Sequence, residues 1–166
     1  MPRIISANLN GIRSAHKKGF FNWMANQTAD FVCVQELKAQ LPDMTEDFLA
    51  PGGYHGHFHY AEKKGYSGTG IYSRLKPDAV RTGFGCPEFD AEGRYVRCDF
   101  ADLTIISVYC PSGSSSPERQ EAWRHANDRL GMTVQLQSAV STMKTAPVSR
   151  RVMDAGDRLE RDVLAA

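Results

Sequence analysis

Apolar residues along this chain follow two rhythms. Up to residue 122 they form short continuous runs punctuated by Gly, Pro and Asp; from 123 onward they recur at helical spacing. The first two runs, Ile4–Leu9 and Asp30–Glu36, are each the length of one strand. Between them, Phe20, Trp23, Met24 and Gln27 repeat at helical spacing within Lys18–Gln27. Strand, helix and strand in about 30 residues predict a βαβ unit with parallel strands. Five shorter runs follow with turn residues between them: Tyr54–Ala61, Gly70–Leu75, Ala79–Phe84, Arg94–Phe100 and Leu103–Cys110. Their spacing predicts antiparallel pairing, with a hairpin loop at Asp99–Asp102. Leu103–Cys110 is nearly all apolar, which predicts a central strand buried on both faces. The expected fold class is α/β (α+β): a single mixed β-sheet over residues 3–110 with flanking helices.

Ser116-Pro117-Glu118 starts a helix, because Ser caps well, Pro fits the first helical position and Glu suits the positive helix end. Trp123, Ala126 and Leu130 continue it. Val134, Leu136, Val140 and Met143, then Val152, Ala155, Leu159 and Val163, predict further helix on either side of Pro147. The expected organisation is one domain over residues 1–122 and a helical tail over 123–166.

Composition narrows the class without choosing a partner. The 166 residues are 42% hydrophobic and 23% charged, enough apolar content for a folded core. Twenty basic against 19 acidic side chains leave a net charge of +1, so any phosphate-handling site needs a local basic lining. Cys33, Cys86, Cys98 and Cys110 form no C-x-x-C pair and are too sparse for a disulfide framework. Buried thiols in a reducing compartment are the expectation. With no visible signal peptide and no apolar run of membrane-spanning length, the expected location is cytoplasmic, with no membrane partner.

Three polar residues sit at the carboxyl ends of apolar runs: Asn8, Glu36 and Tyr109. Ligands gather outside strand carboxyl ends in sheets with parallel strands. Glu36 continues the face shared by Val32 and Val34, and a carboxylate there is costly unless paired or metal-bound. An oxygen site of this kind suits Mg²⁺ or Mn²⁺ rather than zinc. The plainer alternative is a strand-end carboxylate meeting solvent or Lys38, with Tyr109 a half-buried aromatic. His55, His57 and His59 alternate along one strand face, which reads as a solvated row before it reads as a metal site. Lys63-Lys64-Gly65-Tyr66-Ser67-Gly68 reads either as a hairpin turn or as a contact for a phosphate backbone.

These segments together resemble the exonuclease III family of DNA-repair nucleases and apurinic endonucleases. The resemblance rests on Ile4-Ile5-Ser6-Ala7-Asn8-Leu9-Asn10-Gly11-Ile12-Arg13, Gln35-Glu36-Leu37-Lys38, Gly65-Tyr66-Ser67-Gly68-Thr69-Gly70, Glu92-Gly93-Arg94 and Ser107-Val108-Tyr109-Cys110-Pro111, in that order. It covers residues 2–122. It implies about one half of a four-layer αββα sandwich, and divalent-metal-dependent hydrolysis of DNA phosphodiester bonds. The implied partner is double-stranded DNA at abasic sites or 3′ ends. By the resemblance, Glu36 and Asn8 belong to the metal site, Tyr109 to catalysis, and Asn10, Arg13 and Lys38 to the phosphate track.

Two family segments have no counterpart here: a Gly-Asp-x-Asn strand end and a Ser-Asp-His segment. Ser112 also stands where the family usually has Asn. The chain therefore reads as the N-terminal half of such an enzyme followed by unrelated sequence, with activity weak or lost. A catalytically dead nucleic-acid-binding remnant, or a phosphoesterase of the same superfamily acting on a non-DNA substrate, are the alternatives. With strands for only one sheet, the expectation is an uncovered sheet face through which copies could self-associate.

Overall fold

Strand β1 (Ile4–Asn8) enters the sheet almost at once and pairs in parallel with β2 (Phe31–Gln35), from Ile4 opposite Phe31 to Asn8 opposite Gln35. The computed structural model describes residues 2–111 and 115–129. The crossover between β1 and β2 holds two short helices, α1 (Ile12–Lys17) and α2 (Phe20–Ala25). Sequence spacing shows only the second. Gly19, with φ of 85°, breaks the helical path between them, a left-handed turn that glycine makes without steric cost. Ile12 and Ala15 on α1 and Phe20, Phe21 and Met24 on α2 are all buried.

A short helix α3 (Glu46–Leu49) leads to β3 (His55–His59) and β4 (Thr69–Ser73). Both pair antiparallel, giving a four-stranded mixed sheet in the order β1-β2-β4-β3. After β5 (Ala79–Thr82) and helix α4 (Pro87–Asp90) come β6 (Tyr95–Phe100) and β7 (Leu103–Val108). These three strands form a separate antiparallel sheet in the order β5-β6-β7. Helix α5 (Pro117–Arg129) follows. Its start is capped by Ser116, whose Oγ accepts the Arg119 N–H at 3.4 Å.

The α+β class with flanking helices is as expected, but the single sheet over 3–110 is corrected to two sheets packed on each other. Alternation along β2 explains how. Val32 and Val34 turn to the helices, where they meet Ile12, Phe21 and Met24 in one core cluster. Phe31 and Cys33 turn the other way, onto Val96, Cys98 and Ile105 of the second sheet. The strand buried on both faces is thus β2, with every residue from Phe31 to Val34 buried. Burial drives the Cys33 thiol up to about 12, against the opposing hydrogen bond of Ser107, so it stays an inert core thiol.

Leu103–Cys110 does not take the central place its composition suggests. Strand β7 lies last in its sheet's order; Ile105 and Ser107 are buried while Thr104 and Ile106 are exposed. Hydrophobicity counts apolar atoms, but pairing decides which strand is central. The uncovered face inferred for the first sheet is also corrected, because strands β6 and β7 supply the covering layer. Among the described residues the exposed large hydrophobics are the separate positions Ile4, Leu41, Leu75, Val80 and Ile106.

Helix α5 crosses the seam placed at residue 122. Trp123 packs edge-on against Phe89 at 4.8 Å and against Phe84 at 5.6 Å, and Ala126 is buried in the same cluster. The helices expected beyond Leu130 lie outside the described residues, as does Ser112. Among the described residues no helix is long and apolar enough to cross a membrane.

Buried phenols in the core are anchored. The Tyr72 hydroxyl donates to the Phe48 carbonyl at 2.8 Å, fixing α3 to the sheet. Tyr72→Phe leaves that carbonyl without its donor, and a loss of about 1 kcal/mol is expected. Urea unfolding of the two proteins measures it; an unmoved midpoint would mean the bond carries no net stability.

Candidate active site

Three loops meet at one end of the first sheet, and backbone hydrogen bonds zip them together. Gly11 N–H donates to the Glu36 carbonyl at 2.8 Å and Ile12 N–H to the Leu37 carbonyl at 2.9 Å. On the other side, Lys38 N–H donates to the Ser67 carbonyl at 2.9 Å and Leu37 N–H to the Gly68 carbonyl at 3.2 Å. The stretch from Lys63 to Gly68 is therefore a turn that clasps the Glu36 loop, with Lys63 over the Tyr66 ring at 5.5 Å.

The loops are bent in an uncommon way. Asn10, Glu36, Lys38 and Ser67 all have φ between 43° and 56°, and these are the non-glycine residues with positive φ among those described. Left-handed backbone at non-glycine residues is held in place by surrounding bonds and clusters at functional sites. Here all four fall in the loops that meet around one carboxylate.

That carboxylate is Glu36, its side chain 19% exposed. Its Oε1 accepts the Asn8 amide N–H at 2.7 Å and the Tyr109 hydroxyl at 2.7 Å. Its Oε2 faces the Lys38 ammonium at 3.0 Å. Burial by itself would raise the Glu36 carboxyl, but the hydrogen bonds from Asn8, Tyr109 and Lys38 outweigh it and hold the group below its usual 4.5. Tyr109 is pushed the opposite way, by burial first and then by its bond to the carboxylate, so it stays a protonated donor. Asn8 uses its own Oδ1 to accept the Asn10 N–H at 3.0 Å, and the Asn10 side chain accepts a hydrogen bond from Lys38.

Asn8, Asn10, Glu36, Lys38 and Tyr109 are thus brought together across a sequence separation of up to 101 positions, counted from Asn8 to Tyr109. Arg13 points into a different pair, its Nη1 lying 3.2 Å from Asp43 Oδ1, and it stays exposed. The histidine row is solvated only in part: His55 is exposed, His57 is half-buried and His59 Nδ1 lies 3.1 Å from the Tyr95 carbonyl. Among the described residues no group of three or more His, Cys, Asp or Glu converges as a metal cage.

The donors present suit a hard, water-rich cation. They are one ionised carboxylate, whose Oε2 already faces an ammonium charge, and the nearby Asn8 and Asn10 amides, whose oxygens accept the Asn10 N–H and Lys38. Mg²⁺ typically takes one or two carboxylates and fills its other positions with water and phosphate. Zinc would need nitrogen or sulfur ligands, which are not gathered here.

The chain belongs to the Endonuclease/Exonuclease/phosphatase family, whose sequence model matches residues 5–139. An exodeoxyribonuclease of Bacillus subtilis (strain 168) is 39% identical over 118 residues, which cover 70% of this chain and 46% of that protein. A DNA-(apurinic or apyrimidinic site) endonuclease of Dictyostelium discoideum is 34% identical over 113 residues, covering 68% of this chain and 31% of that one. Among solved structures, an AP endonuclease from Archaeoglobus fulgidus superposes with a TM-score of 0.66 at 29% identity, over 81% of this chain and 51% of the other. The chain spans less than half the length of the two curated relatives.

Sequence reasoning passed over one participant. Arg94 is 3% exposed and reaches Tyr109 from the edge of β6. Its only signal in the sequence is an arginine fixed behind a glycine in Glu92-Gly93-Arg94.

Proposed function

We propose that this chain carries part of a divalent-cation-dependent site for hydrolysing DNA phosphodiester bonds, of exodeoxyribonuclease or apurinic endonuclease type. The observation that carries it is Glu36 Oε1 accepting both the Asn8 amide and the Tyr109 hydroxyl at 2.7 Å. The names of the relatives, an exodeoxyribonuclease and a DNA-(apurinic or apyrimidinic site) endonuclease, support DNA and its abasic sites as the substrate; double-stranded DNA and 3′ ends belong to the same reading.

In this reading Glu36, with Asn8 beside it, holds Mg²⁺ or Mn²⁺. Such a cation, when bound, polarises a phosphoryl oxygen and stabilises the charge of an in-line displacement by water. The remaining work belongs to the protein. Asn8 fixes the rotamer of Glu36 through its amide N–H. Tyr109, kept protonated, gives its single hydroxyl proton to Glu36 here; with the carboxylate turned to a cation, that proton would be free to bond a non-bridging phosphate oxygen. Lys38 and Asn10 line the approach with a cation and an amide, and Arg13, paired with Asp43 at 3.2 Å, would join a phosphate track only by leaving that carboxylate.

Among the described residues no general base is joined to the cluster. The described residues around Glu36 include no second carboxylate or histidine bonded to this cluster. The expected activity of the chain by itself is therefore weak, because loss of a general acid–base group removes about 10²–10⁴-fold. Incubation with a duplex carrying one abasic site, in Mg²⁺ and then in EDTA, tests both parts. The expected result is slow, EDTA-sensitive incision that Glu36→Ala abolishes. Incision indifferent to EDTA and to Glu36→Ala would overturn the reading. Fast incision would overturn the assigned weakness alone.

A further inference from the structure

The segment Glu92-Gly93-Arg94 has no role in the site as described so far, yet it contains one of the most buried charges in the molecule. Arg94 is 3% exposed. A buried guanidinium persists only when its donors and its charge are matched. Each of its three guanidinium nitrogens has a partner, and one of the three partners is the Tyr109 carbonyl.

Arg94 grips Tyr109 in three ways. Its backbone carbonyl accepts the Tyr109 N–H at 2.9 Å. Its Nη1 donates to the Tyr109 carbonyl at 2.8 Å. Its guanidinium carbon lies 4.8 Å from the centre of the Tyr109 ring, a cation–π contact. The remaining donors meet the Tyr66 hydroxyl at 3.2 Å, through Nη2, and the Glu92 carboxylate, through Nε.

Glu92 in turn is shared. Its Oε2 also accepts Arg119 Nη2 from helix α5, and Arg119 Nη1 reaches Glu88 at 2.7 Å. The Arg119 guanidinium also sits over the Phe89 ring at 5.3 Å. Two arginines and two glutamates thus alternate from the surface helix inward: Glu88, Arg119, Glu92, Arg94. The line ends on the tyrosine whose hydroxyl meets Glu36.

We propose that Arg94 is the positioning residue for Tyr109, clamped by Glu92 and Arg119, so that helix α5 bears on the aim of the Tyr109 hydroxyl. A lysine could supply the charge but not the flat fork that bonds a carbonyl, a phenol and a carboxylate together while lying on a ring. The proposal deepens the nuclease reading, since it matters for turnover only if Tyr109 acts there. Its test is therefore read first without turnover.

The full chain is labelled with tyrosine carrying ¹³C at Cζ, and the Tyr109 signal is assigned with Tyr109→Phe. Glu36→Gln then defines the shift produced when the phenol loses its carboxylate acceptor. Arg94→Lys is expected to move the Tyr109 signal in that same direction, and Arg119→Ala to move it the same way by less. The side chain of Arg119 is 26% exposed, so its removal tests the clamp even where Arg94→Lys does not fold. A Tyr109 signal unmoved in the folded variants, whatever their unfolding midpoints, would overturn the proposal, because a purely structural arginine lowers stability without re-aiming the phenol. In incision assays on abasic duplex, both variants are expected to lower kcat by about 10–100-fold with KM kept. Loss of incision with an unmoved signal counts against Arg94 as a positioner; a moved signal in a chain that never incises keeps the geometry and removes the nuclease reading.

Discussion

Glu36→Gln is expected to lower incision of abasic duplex by at least about 10²-fold. The amide keeps the volume of the carboxylate and can still accept one hydrogen bond. It cannot hold a divalent cation by charge, and it leaves the Lys38 ammonium without its counter-ion at 3.0 Å. The same variant carries a signature that does not depend on turnover. Asn8, Tyr109 and Lys38 together overcome burial to hold Glu36 below 4.5 in the folded state. A group whose folded value is depressed contributes stability that is fully present above the unfolded value and is lost as pH falls through the folded one. Unfolding midpoints in urea for the native chain should therefore drop in the acid range below about 4.5, and Glu36→Gln should remove part of that slope. Identical pH profiles for the two proteins would show that the three donors do not favour the ionised form.

Gly93→Ala is expected to cost about 2–4 kcal/mol, from a strained backbone and a backbone clash together. Gly93 has φ of 62°, and a Cβ there would lie 2.5 Å from the His59 carbonyl oxygen, 2.6 Å from the Tyr60 carbonyl carbon and 2.8 Å from the Ala61 nitrogen. All three are backbone atoms of the segment that leaves β3, so no side chain can swing away to make room. The neighbouring residues should suffer as well, because Gly93 sets the entry of Arg94 into its buried site. Chemical unfolding measures the loss. A change below about 0.5 kcal/mol would mean that the two segments separate easily and that the close approach is not required. The contrast with Gly83 is informative: the atoms nearest a Cβ there would be those of the Asp90 carboxylate, from 2.8 Å, which belong to a side chain.

Much of the first half of the fold was legible in the order of apolar runs. The parallel pair of β1 and β2 follows from a strand, a helical stretch and a strand in succession, because a crossover of that length returns the chain in the same direction. The seven strands of the described residues lie on the runs that predict them, shifted at the ends by at most two residues. Helix α1 was hidden because only Ile12 and Ala15 mark its buried face within six residues, and Gly19 breaks its continuity with α2. The site was legible in part. Asn8, Glu36 and Tyr109 stand out as polar residues at the ends of apolar runs, and the structure joins them at 2.7 Å. Arg13 shares their segment and their chemistry, but its bond to Asp43 turns it elsewhere.

The sequence alone determined the local facts: which stretches extend, which coil, where a glycine or a cap ends them, and which polar side chains sit where a strand stops. These depend on neighbours a few residues apart, so the order of residue types is enough to read them. Tertiary structure alone decided how the strands divide into two sheets, because period-2 alternation states that β2 has two faces but not what covers each. It decided that Leu103–Val108 lies last in its sheet's order rather than at the centre, since centrality is a matter of partners and not of composition. It also decided the company of Glu36. A carboxylate 73 positions from Tyr109 and 28 from Asn8 is held ionised only by groups that the fold delivers, and a buried arginine bonds one of them from Glu92-Gly93-Arg94, a segment whose order of residues does not state that contact.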